Sequence, residues 1–174
     1  MAASKGHFVM FLDDDDLLFS DHVETLVGVM LRDERLSAAY SLAFEVHTKL
    51  SEDRESYTEE LFTTPNLFHQ EWNYDVLLDH NFIPIQSILL RRTLYEQRGG
   101  FDIELDQLED WNLWLRYGYG NQFSYVPKTT SLFRSPSDYL VRSERHALLH
   151  DAYLEAKKRA LFSLERLGSP YRDW

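Results

Sequence analysis

His7-Phe8-Val9-Met10-Phe11-Leu12 runs straight into Asp13-Asp14-Asp15-Asp16, and this junction decides how the chain is read. A continuous apolar run suits a strand buried on both faces within an α/β sheet. Ligands of open α/β sheets gather at the carboxyl ends of the strands, which is where the four aspartates stand. Four carboxylates in one turn repel each other, raise each other's pKa and lower stability unless a cation offsets them. In an extended segment alternate side chains point the same way, so Asp13 and Asp15 are placed to share one Mg²⁺ or Mn²⁺. The competing reading is a solvated acidic turn. Only Met1 to Gly6 precede this strand, although a central strand needs a neighbour on each side.

Working outward, Ser20 is placed to cap a helix starting at Asp21, with Val23, Leu26, Val27 and Met30 on one face. Tyr40, Leu42, Phe44 and Val46 alternate with Ala39, Ser41, Ala43 and Glu45, the pattern of a half-buried strand. Ser51 to Glu60 is polar and lacks a period, as an exposed loop does. A helix is predicted over Trp72 to Leu78, a strand over Ser87 to Leu90 and a helix over Thr93 to Arg98, ended by Gly99-Gly100. Leu108, Trp111 and Leu115 mark one face of the next helix, with Trp114 beside them. Phe123–Val126 and Thr130–Phe133 read as two short strands around Pro127. From about Tyr139 to Leu167, apolar residues recur from Leu149 through Tyr153, Ala156, Ala160 and Leu164 to Leu167. That is a long amphipathic helix stopped by Gly168 and Pro170.

Composition narrows the function classes. A length of 174 residues with 44% hydrophobic and 14% aromatic content supports a folded core in one domain. Net charge is −11, from 29 Asp+Glu against 18 Lys+Arg, which repels phosphate backbones and excludes nucleic acid as the expected partner. Cysteine is absent, so disulfides, thiolate metal sites and thiol nucleophiles are excluded. With no apolar run of transmembrane length and no signal peptide, a soluble, cytoplasmic domain is expected, membrane-associated only through a longer parent protein.

A second constellation follows. Gly99-Gly100-Phe101-Asp102 precedes Glu109-Asp110-Trp111 at a helix start. Paired glycines let backbone approach a ligand closely, and a carboxylate in a first helical turn stays ionised, as a general base for a hydroxyl must be. An ordinary helix stop, followed by favourable acidic placement at a helix N-terminus, explains the same residues.

Phe11-Leu12-Asp13-Asp14-Asp15-Asp16, Asn81-Phe82-Ile83-Pro84, Gly99-Gly100-Phe101-Asp102 and Glu109-Asp110-Trp111 with Leu115-Arg116 together resemble the family 2 glycosyltransferases, inverting enzymes of the GT-A fold. Order and spacing agree over roughly residues 5 to 134. The resemblance implies a GT-A-like α/β fold, with a mixed sheet flanked by helices. It implies transfer of a sugar from a nucleotide-sugar donor to the hydroxyl of a glycan or other acceptor. Asp13 and Asp15 match the family's DXD motif, holding Mn²⁺ or Mg²⁺ against the donor diphosphate. Asp110 matches its base, supported by Glu109, while Gly100 and Asp102 lie beside the donor sugar. Residues 1–136 then form a partial transferase domain, and residues 137–174 an amphipathic helix packed on it. The family's N-terminal nucleotide-binding half precedes the DXD strand, so the chain reads as a C-terminal portion whose partner is the N-terminal half of a parent transferase. The His that many relatives carry just after the strand near Phe133-Arg134 is replaced here by Ser135-Pro136-Ser137.

Two other classes stay open. The run into Asp13-x-Asp15 partly resembles the haloacid-dehalogenase-like phosphatases, but Leu17 stands where Thr or Val belongs and only Lys49 precedes Lys128. A non-catalytic module that binds glycans through Trp72, Trp111 and Trp114, or that scaffolds a complex, uses the same aromatics; helix-spaced Trp equally makes core. His146 and His150 stand at i and i+4, a zinc spacing, yet without a metalloprotease motif they read as solvent-facing.

Overall fold

The computed structural model describes residues 3–53, 55–166 and 168. In chain order its elements are β1 (Phe8–Val9), β2 (Leu17–Leu18), α1 (His22–Arg32), β3 (Leu36–Leu50), β4 (Tyr57–Thr63), α2 (Tyr74–Asp79), β5 (Ile88–Arg91), α3 (Arg92–Arg98), α4 (Glu109–Gly118), β6 (Gln122–Pro136) and α5 (Tyr139–Glu165). The strands form one mixed sheet in the order β1-β5-β3-β6-β2, and β4 pairs with the far end of β3. β3 and β6 run parallel; every other described pairing is antiparallel. The expected α/β class, with a mixed sheet and flanking helices, is therefore present.

The central strand is β3, not the apolar run at the start of the chain. Ala38 to Ala43 are buried without a break, because small side chains alternate with large ones. Ala39 admits Leu26 and Met30 of α1 on one face. Ala38 and Tyr40 meet Trp111, Trp114 and Phe82 on the other. The predicted strand at residues 7–12 shrinks to Phe8–Val9 at the sheet edge, with β5 alone beside it among the described residues. Leu12 is left 53% exposed.

Three further expectations change. The segment 51–60 is the tip and outgoing strand of a hairpin: Ser51 N–H and Oγ both reach Ser56 O, at 2.9 and 3.0 Å. Polar residues suffice for β4 because its side chains are exposed on both faces and its backbone pairs with residues 45–50. Pro127 does not separate two strands. β6 is continuous, and Pro127 with Lys128 bulges between the pairs Ser41↔Val126 and Leu42↔Thr129, as a residue without an N–H must. At α1 the cap position is Asp21, not Ser20. α2 starts at Tyr74, two residues late, because Asn73 accepts from Asp75 N and Val76 N at 2.9 and 3.2 Å.

α5 starts behind Asp138, whose carboxylate caps Leu140 and Val141. Ala156, Ala160, Leu161 and Leu164 join the buried cluster around α4, and Tyr153 stacks on Trp111 at 4.6 Å. Leu167 and Pro170 lie outside the described residues, as does the side chain of His146; His150 is exposed. No described helix is long and apolar enough to cross a membrane.

One seam of the interior is polar. His22 Nδ1 meets Thr130 Oγ1 at 2.6 Å, and Thr130 Oγ1 meets Ser41 Oγ at 2.7 Å. All three residues are buried. His22 Nε2, Gln86 Nε2 and Ser131 Oγ are buried without a hydrogen-bond partner.

Candidate active site

β1 runs antiparallel to β5, and β5 antiparallel to β3, so β1, β3 and β6 all point the same way. β1 and β2 occupy opposite edges of the sheet. Residues 10–16 therefore carry the acidic run across the sheet, reaching β6 where Leu17 pairs with Leu132, level with Phe44 of β3. α4 ends where β6 begins, which turns its first residues, Glu109 and Asp110, back along the sheet toward that crossing.

Side-chain contacts tie these segments together. Phe11 packs on Phe101 at 5.0 Å and on Trp114 at 6.1 Å. Trp114 Nε1 donates to Ile83 O at 3.1 Å, Trp111 Nε1 to Leu77 O at 2.7 Å, and Asn81 Nδ2 to Asp110 Oδ2 at 2.9 Å. The acidic run, the Asn81–Pro84 segment, the Gly99–Asp102 turn and the start of α4 thus share one packing unit.

The aspartates form a turn rather than an extended segment, with Asp16 N–H donating to Asp13 O at 3.2 Å. The argument from alternate side chains in a strand does not hold for Asp13 and Asp15. Asp13, Asp14 and Asp15 are exposed, whereas Asp16 is buried. Burial first, then the charges of Asp15 and Asp13, push the Asp16 carboxyl up to about 7, against an opposing pull from Arg134. Arg134 is the residue that sequence reasoning passed over. Its Nη1 donates to Asp15 O, its Nη2 to Glu59 Oε1 at 3.3 Å, and its guanidinium covers the Tyr57 ring at 4.9 Å. The hairpin that read as a loop is what supplies Tyr57 and Glu59.

Among the described residues, no group of three or more Asp, Glu or His side chains is placed to hold a metal. Asp13 and Asp15 are exposed carboxylates, the donor type that hard cations such as Mg²⁺ and Mn²⁺ take. Such ions take one or two carboxylates and leave their other positions to water and phosphate oxygens.

Asp110 is set more tightly. Its Oδ2 accepts from Asn81 and its Oδ1 from Trp111 N–H at 2.6 Å. Burial pushes its carboxyl up to about 6; the Trp111 N–H and Asn81 oppose that, and Glu109's charge adds to it. Glu109 thus acts on Asp110 through charge, while Asn81 orients it. Immediately before them, Leu108 has φ 58°, the one non-glycine residue at positive φ among those described. Such backbone costs on the order of 1–3 kcal/mol and clusters at functional sites.

Gly100 and Asp102 are engaged within the protein. Gly100 O accepts from Arg116 Nη2 at 2.6 Å. Both Asp102 oxygens are held by Arg159 of α5, at 2.7 and 3.1 Å, and Arg159 keeps that carboxyl below its usual range. Gly99, at φ 75°, closes α3 and presents its carbonyl to the Tyr117 hydroxyl at 2.6 Å. No family model and no curated protein matches this chain.

Proposed function

We propose that the chain is the metal- and acceptor-side half of an inverting, GT-A-like glycosyltransferase, working with an N-terminal nucleotide-binding half. The observation that carries this reading is the packing of Phe11 on Phe101 and Trp114. It brings an exposed acidic turn and a raised, oriented carboxylate into one packing unit on the sheet. Asp13 and Asp15 would hold the divalent cation, which supplies charge neutralisation for a departing nucleoside diphosphate. Asp110 takes the proton from the acceptor hydroxyl as that oxygen bonds to the sugar's anomeric carbon and the bond to the diphosphate breaks. A carboxyl at about 6 is ionised at neutral pH and is a stronger base than an ordinary Asp.

The test is transfer by the full-length parent protein from a panel of nucleotide sugars with Mn²⁺. Asp110→Asn is expected to lower turnover roughly 10²–10⁴-fold. Asp15→Asn is expected to raise the Mn²⁺ concentration needed. Full activity of Asp110→Asn overturns the base assignment. An acid-stable phosphoryl group trapped on Asp13 replaces the transferase reading with a phosphatase. Asp110→Asn carries a second signature. Because the folded pKa is raised above the ordinary 3.8, native Asp110 favours stability below pH 3.8 and loses that contribution as pH rises through about 6. In urea unfolding, the stability of the unsubstituted protein relative to the Asn variant is therefore expected to fall as pH rises from about 4 to about 6.

A further inference from the structure

α5 is apolar on two opposite faces. One carries Tyr153, Ala156, Ala160 and Leu164, which pack inward. The other carries Leu140 at 70% exposure, Leu148 at 60%, Leu154 at 74% and Phe162 at 62%. A surface helix of a monomer needs only the first stripe, and exposed apolar residues grouped on a second face mark an interaction surface. Exposed Glu144 and Lys158 lie along the same stripe.

The spacing of this outer stripe is its distinguishing property. Leu140, Glu144, Leu148, Leu154, Lys158 and Phe162 follow steps of four, four, six, four and four residues. Read from either end about Asp151 the spacing is the same: apolar Leu140 mirrors apolar Phe162, Leu148 mirrors Leu154, and the acid Glu144 mirrors the base Lys158. A two-fold axis through position 151 sets a second α5 antiparallel to the first. Leu140 then faces the partner's Phe162, and Glu144 faces the partner's Lys158. The same pair forms again on the other side of the axis, while Leu148 and Leu154 flank it. A self-complementary patch of this kind is what an isologous dimer requires.

We propose that the outer face of α5 is the interface of a homodimer, in which two copies of this helix pack antiparallel about position 151. The seam from 140 to 162 is about 33 Å long at 1.5 Å per residue. That places it near the low end of specific interfaces, roughly 1,200 Å² in total, so weak association, with a Kd of micromolar order, is expected. The inner face of α5 and the acidic turn do not take part, so the proposal stands whether or not the chain is a transferase.

The test is sedimentation velocity on the chain from low micromolar to several hundred micromolar, with circular dichroism to verify folding. The parent is expected to pass from monomer to dimer. Glu144→Lys alone sets Lys against Lys, and Lys158→Glu alone sets Glu against Glu; each is expected to weaken dimerisation at least tenfold. An equimolar mixture of the two variants restores both opposite-charge pairs and is expected to recover a heterodimer. A strictly monomeric parent overturns the proposal. A dimer indifferent to either reversal, or variants that do not rescue one another, overturns it equally, because another surface or another occupant then covers this face.

Discussion

Thr130 Oγ1 stands between His22 Nδ1 and Ser41 Oγ, at 2.6 and 2.7 Å, in a seam closed to solvent. Neutral imidazole is what such a place accommodates: burial lowers the His22 pKa below the ordinary 6.5. In the unfolded chain His22 binds a proton as pH falls through 6.5, while in the native protein it resists. Its contribution to stability is therefore present above pH 6.5 and lost progressively below it. Urea unfolding of the parent and of His22→Leu between pH 5 and 8 checks this. The parent's stability relative to the variant is expected to fall as the solution is acidified, and parallel curves count against it. Thr130→Val removes the bridging hydroxyl and is expected to cost about 1–3 kcal/mol at any pH in that range. Nothing in the sequence pointed to this seam. His22 reads as the second residue of a helix starting at Asp21, and its partners come from strands that the chain reaches later.

At the scale of single elements, α4 is held by what crowds it. A Cβ built on Gly118, its last residue, would stand 2.6 Å from Trp72 Cη2 and 3.3 Å from Tyr74 Cδ2. Trp72 has little room to yield, since it stacks on Phe123 at 4.2 Å. Alanine is the better helix former by about 1 kcal/mol, but overpacking costs roughly 1–3 kcal/mol. Gly118→Ala is therefore expected to lower stability, seen as a lower midpoint in thermal melting. An unchanged or raised midpoint would mean that Trp72 moves freely. Helices with strong apolar spacing, such as α4 and α5, were legible from sequence, and so was the α3 stop at Gly99. What escaped were features fixed by pairing rather than by pattern. β4 has no buried residue, so no alternation advertises it. β6 hides its continuity behind Pro127, which is tolerated because it bulges. The apolar start of the chain promised a central strand, but centrality depends on neighbours, and Ala38 to Ala43 hold that place. In the candidate site, the place of Asp110 at a helix start was legible, whereas Asp13 and Asp15, read as an extended segment, lie in a turn. Asn81's grip on Asp110 and Arg134's reach to Asp15 were not legible, since both are made across long sequence separations.

For the whole molecule the decisive pairing is the parallel one between β3 and β6, from Leu36↔Gln122 to Thr48↔Pro136. Local turns position little of the sheet; β5 reaches β3 over just three residue pairs, Ala38↔Leu90 to Tyr40↔Ile88. A chain ending at Asn121 lacks β6, the Phe123 platform and all of α5. It is expected to show no cooperative urea transition, whereas a chain ending at Arg166 unfolds in a single step. A cooperative transition in the shorter chain would mean that β1, β3 and β5 make a self-sufficient unit. The same pairing has a consequence for biosynthesis. On the ribosome, β3 emerges long before its main partner is made, and non-local parallel pairing is slow to close. During that interval the Ala38–Ala43 stretch, apolar but for Ser41, is a bare strand open to wrong partners. The cell's yield of this protein is then governed by what shelters β3 until β6 leaves the exit tunnel.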